Sequence, residues 1–250
     1  MSFLGALGFL TTIPVPSGRE PGGISYFPLV GLILGLILAG VSWLAAFLLP
    51  VALADMVVVV ALVLLTGALH LDGFLDTCDG LAYRGGVEER LEVMSDSRAG
   101  GIGVVAVVSL LMLKYLSLNS IPGCIKLEAL VMMPVMGRWA ISYALFAYPY
   151  AKPTGLGVSI KEKTSGRGFT IATATASVIA LVFGGIWGLI AMLGVWAISV
   201  GVASFLARRF GGLTGDTYGA IAEVCEVATL IILSVIAHNL DYNWGLWSAY

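Results

Sequence analysis

The chain has 250 residues, 59% of them hydrophobic and only 11% charged, with a mean hydropathy of +0.99. That balance excludes an ordinary soluble globular domain and describes a polytopic membrane protein. The formal net charge of −2 gives no electrostatic basis for binding nucleic acid. Cys78, Cys124 and Cys225 are far apart, lack metal-ligand spacing, and read as small buried apolar residues.

The opening "MSFLGALGFLTTIPVP" has no basic start and ends in prolines, so it reads as a retained segment lying in the interface rather than a cleaved signal. A membrane-crossing helix needs ~20 apolar residues. Runs of that kind predict spans at 27–49, 51–70, 102–121, 127–149, 170–186, 187–207 and 217–237. The run from Phe169 to Ala207 is too long for one helix and is divided at "GGIWG", residues 184–188, where glycines permit a tight turn. The fold class is therefore all-α, a helical membrane bundle of about seven spans, or six if that run is one tilted helix. The chain carries no repeat or soluble module and reads as one membrane-embedded catalytic domain over 1–250.

Seven spans place residues 1–26, 71–101, 150–169 and 208–216 on one side. Those segments hold Arg19, Arg84, Arg90, Arg98, Lys152, Lys161, Lys163, Arg167, Arg208 and Arg209, ten of the thirteen basic residues. Lys126 lies on the other side, and Lys114 and Arg138 lie within spans. Basic loops stay in the cytoplasm, so this side is expected to be cytoplasmic.

The same side collects the polar clusters. In "HLDGFLDTCDG", residues 70–80, a helix continuing beyond the second span would bring Asp72, Asp76 and Asp79 within an arc of ~60°. Like charges so placed repel by a few tenths of a kcal/mol per pair. A divalent cation removes that conflict, and carboxylate oxygens suit Mg²⁺, which takes one or two of them and leaves its other positions to water and phosphate. Singly, each aspartate reads as a solvated helix end; three in register at a membrane boundary favour a metal or phosphate site. His70 points ~160° from Asp72 on a regular helix and reads as a structural histidine.

In "EVMSDSRAGGIGVV", residues 92–105, Asp96 and Arg98 precede a helix entry rich in glycine. Free N–H groups there favour an anion, and Arg98 suits a phosphate clamp; a charged cap that anchors the span is the competing reading. In "RRFGGLTGDTYGAIAEVCE", residues 208–226, Asp216, Glu223 and Glu226 share an arc of ~80°. Both glutamates fall inside the last span, where acids face the bundle interior. Arg138 is an available counter-charge, so a structural ion pair stands beside a substrate role. A cation-coupled transporter would hold its site near the midplane. Carboxylates gathered at one surface favour a membrane phosphotransferase instead.

The strings "FLTTIPVP" (9–16), "FPLVGLILG" (27–35), "HLDGFLDTCDG" (70–80), "MSDSRAGGIG" (94–103) and "GGLTGDTYGAIAEVCE" (211–226) resemble, in order, those of the cobalamin synthase family. Gly101 stands where that family usually has Thr or a similar residue. The resemblance implies an adenosylcobinamide-GDP ribazoletransferase: adenosylcobinamide-GDP and α-ribazole, or its 5′-phosphate, are joined and GMP is released, with Mg²⁺ required. It leaves individual roles unsorted. From spacing, Asp72, Asp76 and Asp79 are expected to hold metal, with Asp76 or Asp79 as base, and Arg98 with Arg208 or Arg209 to hold phosphate. Asp96, Arg138, Asp216, Glu223 and Glu226 are expected to orient substrate or complete the site. A CDP-alcohol phosphotransferase is the alternative enzyme, although its Ala-Arg after the first Asp-Gly is missing. Substrates and the lipid bilayer are the expected partners. A homo-oligomer or association with other B12-pathway enzymes stays open.

Overall fold

The computed structural model of the protein describes residues 2–16, 23–151 and 156–239. Arg19 and Lys152, counted among the basic loops, lie outside them. Among the described residues ten α-helices follow one another: α1 (Phe3–Leu10), α2 (Phe27–Leu48), α3 (Val51–Thr66), α4 (Leu69–Ala82), α5 (Val87–Val93), α6 (Gly101–Asn119), α7 (Gly123–Ala147), α8 (Leu156–Glu162), α9 (Gly166–Phe210) and α10 (Gly215–Asn239). Among the described residues there is no β-strand, only an isolated bridge between Tyr150 and Leu213.

α7 is the central post. Its residues are buried almost without interruption from Ile125 to Leu145, and α2, α9 and α10 pack around it. α2 approaches through Gly31 and Gly35, where an added Cβ would lie 2.6 Å from the Pro134 carbonyl oxygen and 2.5 Å from the Val131 Cα. Small residues four apart let two membrane helices pack backbone to backbone, which accounts for the glycines of "FPLVGLILG". Apolar side chains on the outer faces, such as Leu48 and Leu64, remain exposed, as a lipid-facing surface requires.

α9 runs for 45 residues, but Gly185 adopts φ 56° and ψ −145° within it. Ser177 Oγ lies 3.6 Å from Met192 Sδ, whereas fifteen residues along a straight helix would separate them by ~22 Å. The element is therefore a hairpin of two limbs, turned where "GGIWG" predicts. Among the described residues five helices have spanning length and composition, or six with α3 and α4 taken as one bent span; α9 is one of them, and its two limbs bring the number of apolar segments to the seven that the sequence predicts.

The second span corrects one expectation. α3 does not continue through the aspartates: it ends at Thr66, Gly67 and Ala68 both take left-handed φ (59° and 57°), and α4 starts afresh, bent by 89°. "FLTTIPVP" secures the break. Thr12 donates its backbone N–H to the Leu65 carbonyl at 2.8 Å and its hydroxyl to that of Leu64 at 3.1 Å, satisfying acceptors that a helix end leaves open. The cysteine expectation also changes: Cys225 is buried, but Cys78 is half-buried and Cys124 exposed.

The segments expected on one side do meet. The Ala151 N–H donates to the Leu213 carbonyl, Val87 lies under Gly211, and Gly168 lies against Ile24 and Ser25. At the other end Asp55 of α3, 1% exposed, takes hydrogen bonds from Lys126 at 2.8 Å and Asn119 at 2.9 Å, joining α3, α7 and α6.

Candidate active site

α4 lies across one end of the bundle against α10. An added Cβ on Gly73 would stand 2.8 Å from both the Cα and the carbonyl oxygen of Asp216, and one on Gly219 would stand 2.9 Å from the His70 carbonyl oxygen. Only glycine permits this crossing. It sets the acidic face of α4 beside the start of α10. There Thr214 and Thr217 cap each other: the Thr217 hydroxyl accepts from the Thr214 N–H at 2.7 Å, and the Thr214 hydroxyl from the Thr217 N–H at 3.3 Å.

The three aspartates of α4 share a face, as their spacing predicts, but they face different surroundings. Asp72, itself exposed, and Asp216 line a partly enclosed cavity of about 200 Å³ with Phe9, Phe27, Ile141 and Tyr218. Asp76 and Asp79 line an open cleft of about 330 Å³ with Asp96, Arg98 and Gly101. Asp72 and Asp76 are one helical turn apart, so the two spaces adjoin across α4.

Asp79 is a helix cap. Its two oxygens accept from the N–H groups of Gly100 and Gly103 at 2.8 Å each, closing the start of α6. A Cβ on either glycine would strike the carboxylate, at 2.3 Å and 2.4 Å, which accounts for the glycines of "AGGIG"; Gly101 between them faces open space. The anion that this helix start favours is thus one of the chain's own carboxylates.

Arg98 and Asp96 form an exposed pair at the rim, Nη2 to Oδ2 2.6 Å. Hydrogen bonds from the Arg98 side chain, then from its backbone N–H, hold the Asp96 carboxyl down to about 2. Arg208 and Arg209 stand exposed on the last turn of α9, and Arg209 folds over the Phe205 ring at 5.3 Å. Neither of them lines the cavity or the cleft.

Deeper in the bundle the acids of α10 are enclosed. Lys114 of α6 donates to Glu223 and Glu226 at 2.6 Å each, and Arg138 pairs with the other oxygen of Glu226. Arg138 Nη2 lies 3.3 Å from His70 Nδ1. All five side chains are buried, and Glu226 sits ~15 Å along the helix axis from Asp216. The ion pair weighed for Arg138 is present with Glu226, but Glu223 pairs with Lys114, a partner that sequence reasoning missed. Arg138, Glu223 and Glu226 are remote from the open cleft, and among them Arg138 approaches the partly enclosed cavity only through His70, one of its wall residues.

Among the described residues no three His, Cys, Asp or Glu side chains converge as a ready metal cage. Magnesium does not require one, since it binds through one or two carboxylates with water and substrate phosphate. Asp72 and Asp76 on successive turns, with Asp216 across the glycine crossing, are the hard oxygen donors that fit it.

A bundle of long apolar helices carrying acidic side chains at one end defines a multi-pass integral-membrane protein. The chain belongs to the cobalamin-5-phosphate synthase family, whose sequence model matches residues 2–234. It is 41% identical over 238 residues to the adenosylcobinamide-GDP ribazoletransferase of Roseiflexus sp. (strain RS-1), covering 93% of this chain and 88% of that protein. The proteins of the same name from Desulforamulus reducens, 38% identical with 91% and 94% covered, and Thermosynechococcus vestitus, 41% identical with 93% and 96% covered, are similarly close. No solved structure matches the chain.

Proposed function

We propose that this protein is a Mg²⁺-dependent adenosylcobinamide-GDP ribazoletransferase of the cell membrane, with its active site facing the cytoplasm. The cobinamide phosphate of adenosylcobinamide-GDP passes to α-ribazole or its 5′-phosphate, giving adenosylcobalamin or its 5′-phosphate and GMP. The observation that carries this reading is the junction of Asp72 and Asp76 with Asp216 across the Gly73 crossing, at the end of the bundle where the basic loops gather. Basic loops at that end support a cytoplasmic orientation. The names of the relatives supply the reaction.

A ribazole hydroxyl attacks the phosphorus bonded to cobinamide; the new P–O bond forms as the bond to GMP breaks. Such a transfer asks a protein mainly for positioning and charge neutralisation. One or two of Asp72, Asp76 and Asp216, with water and substrate phosphate, would hold Mg²⁺, which when bound offsets the charge of the diphosphate. Asp76 takes the hydroxyl proton when it is not committed to metal. Arg98, at the rim of the open cleft, keeps Asp96 on Nε and Nη2 and turns its remaining N–H groups to a phosphate oxygen. Asp79 positions Asp76 by fixing α4 to the start of α6.

A transporter reading finds little support, because the charges deepest in the bundle are buried and pair with one another. The test is GMP release by the purified chain in liposomes supplied with adenosylcobinamide-GDP and α-ribazole. Release that stops with a chelator and returns with Mg²⁺ is expected. Absence of release with both substrates and Mg²⁺ present overturns the reading.

A further inference from the structure

The partly enclosed cavity and the open cleft are unlike in character, and the difference sorts the two substrates. The cavity is walled by Phe9, Phe27, Ile141 and Leu145, and its polar groups, Asp72 and Asp216 among them, lie on α4 and at the start of α10. Its 200 Å³ falls below the ~300–1,000 Å³ of pockets that take drug-sized ligands, so a corrinoid cannot enter while a two-ring aromatic base can. Tyr218 also lines this space. It is 5% exposed, and among the described residues its buried hydroxyl has no hydrogen-bond partner. A buried hydroxyl without a partner is costly, and a ligand acceptor would relieve it.

We propose that this cavity is the subsite for the flat aromatic base of the acceptor nucleoside, and that Tyr218 donates to its unglycosylated ring nitrogen. This rests on the ribazoletransferase reading above. α-Ribazole is a benzimidazole nucleoside: an apolar bicycle with one free ring nitrogen and a ribose. With the base between Phe9, Phe27 and Ile141, the ribose sits at the acidic edge formed by Asp72 and Asp216. The attacking hydroxyl then lies beside the turn of α4 that carries Asp76. The open cleft lined by Asp76 and Arg98 is left to the guanosine diphosphate of the larger substrate, whose corrinoid stays outside the bundle. Two substrates thus approach one phosphorus from opposite ends of the acidic face of α4, which in-line displacement needs.

The full-length chain in liposomes tests this through GMP release, with each substrate varied in turn. Ile141→Phe, which fills the cavity, is expected to raise KM for α-ribazole at least tenfold and to leave KM for adenosylcobinamide-GDP within twofold. Tyr218→Phe removes a single oxygen and is expected to raise KM for α-ribazole about tenfold. With an indole riboside, which lacks the free ring nitrogen, Tyr218→Phe is expected to change nothing relative to the unsubstituted protein. An unchanged KM for α-ribazole in Tyr218→Phe, or a rise for adenosylcobinamide-GDP in its place, overturns the subsite while the transferase reading stands. An unsubstituted protein that releases no GMP overturns both. Should Ile141→Phe fail to accumulate, Tyr218→Phe and the indole riboside decide alone.

Discussion

Gly73 of α4 lies against the backbone of Asp216 of α10 so closely that a methyl group at Gly73 would stand 2.8 Å from the Asp216 Cα. The contact is backbone to side-chain position, so no rotamer change relieves it. Gly73→Ala must push α4 away from α10 and carry Asp72 and Asp76 with it. Overpacking of this kind costs ~1–3 kcal/mol, and displacing catalytic groups by about 1 Å costs up to ~100-fold in rate. A lower unfolding midpoint in detergent, with GMP release down at least tenfold, is expected. Normal turnover would mean that the crossing does not set the site.

Asp76 and Asp79 separate by experiment although both lie on the acidic face of α4. Asp76→Asn keeps the side chain's size and loses its charge, so the protein is expected to accumulate normally while transfer is abolished. Asp79→Ala removes the cap on α6, at ~0.5–2 kcal/mol. Its expected signature is lower thermal stability with residual, still Mg²⁺-dependent transfer. Full Mg²⁺-dependent activity in Asp76→Asn would remove that residue from the site.

Both the periodicity of the acidic string and the hairpin at Gly185 were readable from sequence, because local spacing and glycine chemistry determine them. The break before α4 was not. Its signal is one Gly followed by Ala68, and alanine seldom adopts a left-handed φ without tertiary support, here supplied by Thr12, 53 residues before Leu65. The pairing of Lys114 with Glu223 was equally hidden: a single lysine in "LLMLKYL" gives no direction, and its partners lie 109 and 112 residues away. Asp55 and Lys126 escaped for the same reason. The motifs "FPLVGLILG" and "AGGIG" were legible as motifs, but their task of letting a helix or a carboxylate approach closely emerges only from what they touch.

The buried network predicts an ordering of two glutamine variants. Glu226 neutralises both Lys114 and Arg138, so Glu226→Gln leaves Arg138 without an anion, and losing one partner of a buried pair costs ~3–5 kcal/mol. Glu223→Gln leaves Lys114 its bond to Glu226 and should cost less, on the order of 1–3 kcal/mol. Unfolding midpoints in detergent are therefore expected to fall most for Glu226→Gln, with KM for both substrates unchanged in whatever protein accumulates. A Glu223→Gln protein of normal stability that is inactive would instead place Glu223 in the chemistry.

The rim pair makes a prediction about pH. Arg98 holds the Asp96 carboxyl down to about 2, below its ordinary 3.8. A carboxyl lowered on folding contributes its stabilisation above its unfolded value and loses it as pH falls through the folded one. For Asp96 that window lies between 3.8 and about 2, well below working pH. Asp96 is therefore ionised throughout the range from about pH 5 to 8, and any acid limb of transfer there belongs to another group. Asp96→Asn is expected to change the height of the pH profile, because Arg98 loses the partner that orients it, and to leave the midpoint of the acid limb unmoved. The check is GMP release by both proteins across that range at saturating substrate. A shifted midpoint in the variant would mean that the carboxyl titrates within the working range and that the Arg98 pair does not persist in the functioning enzyme.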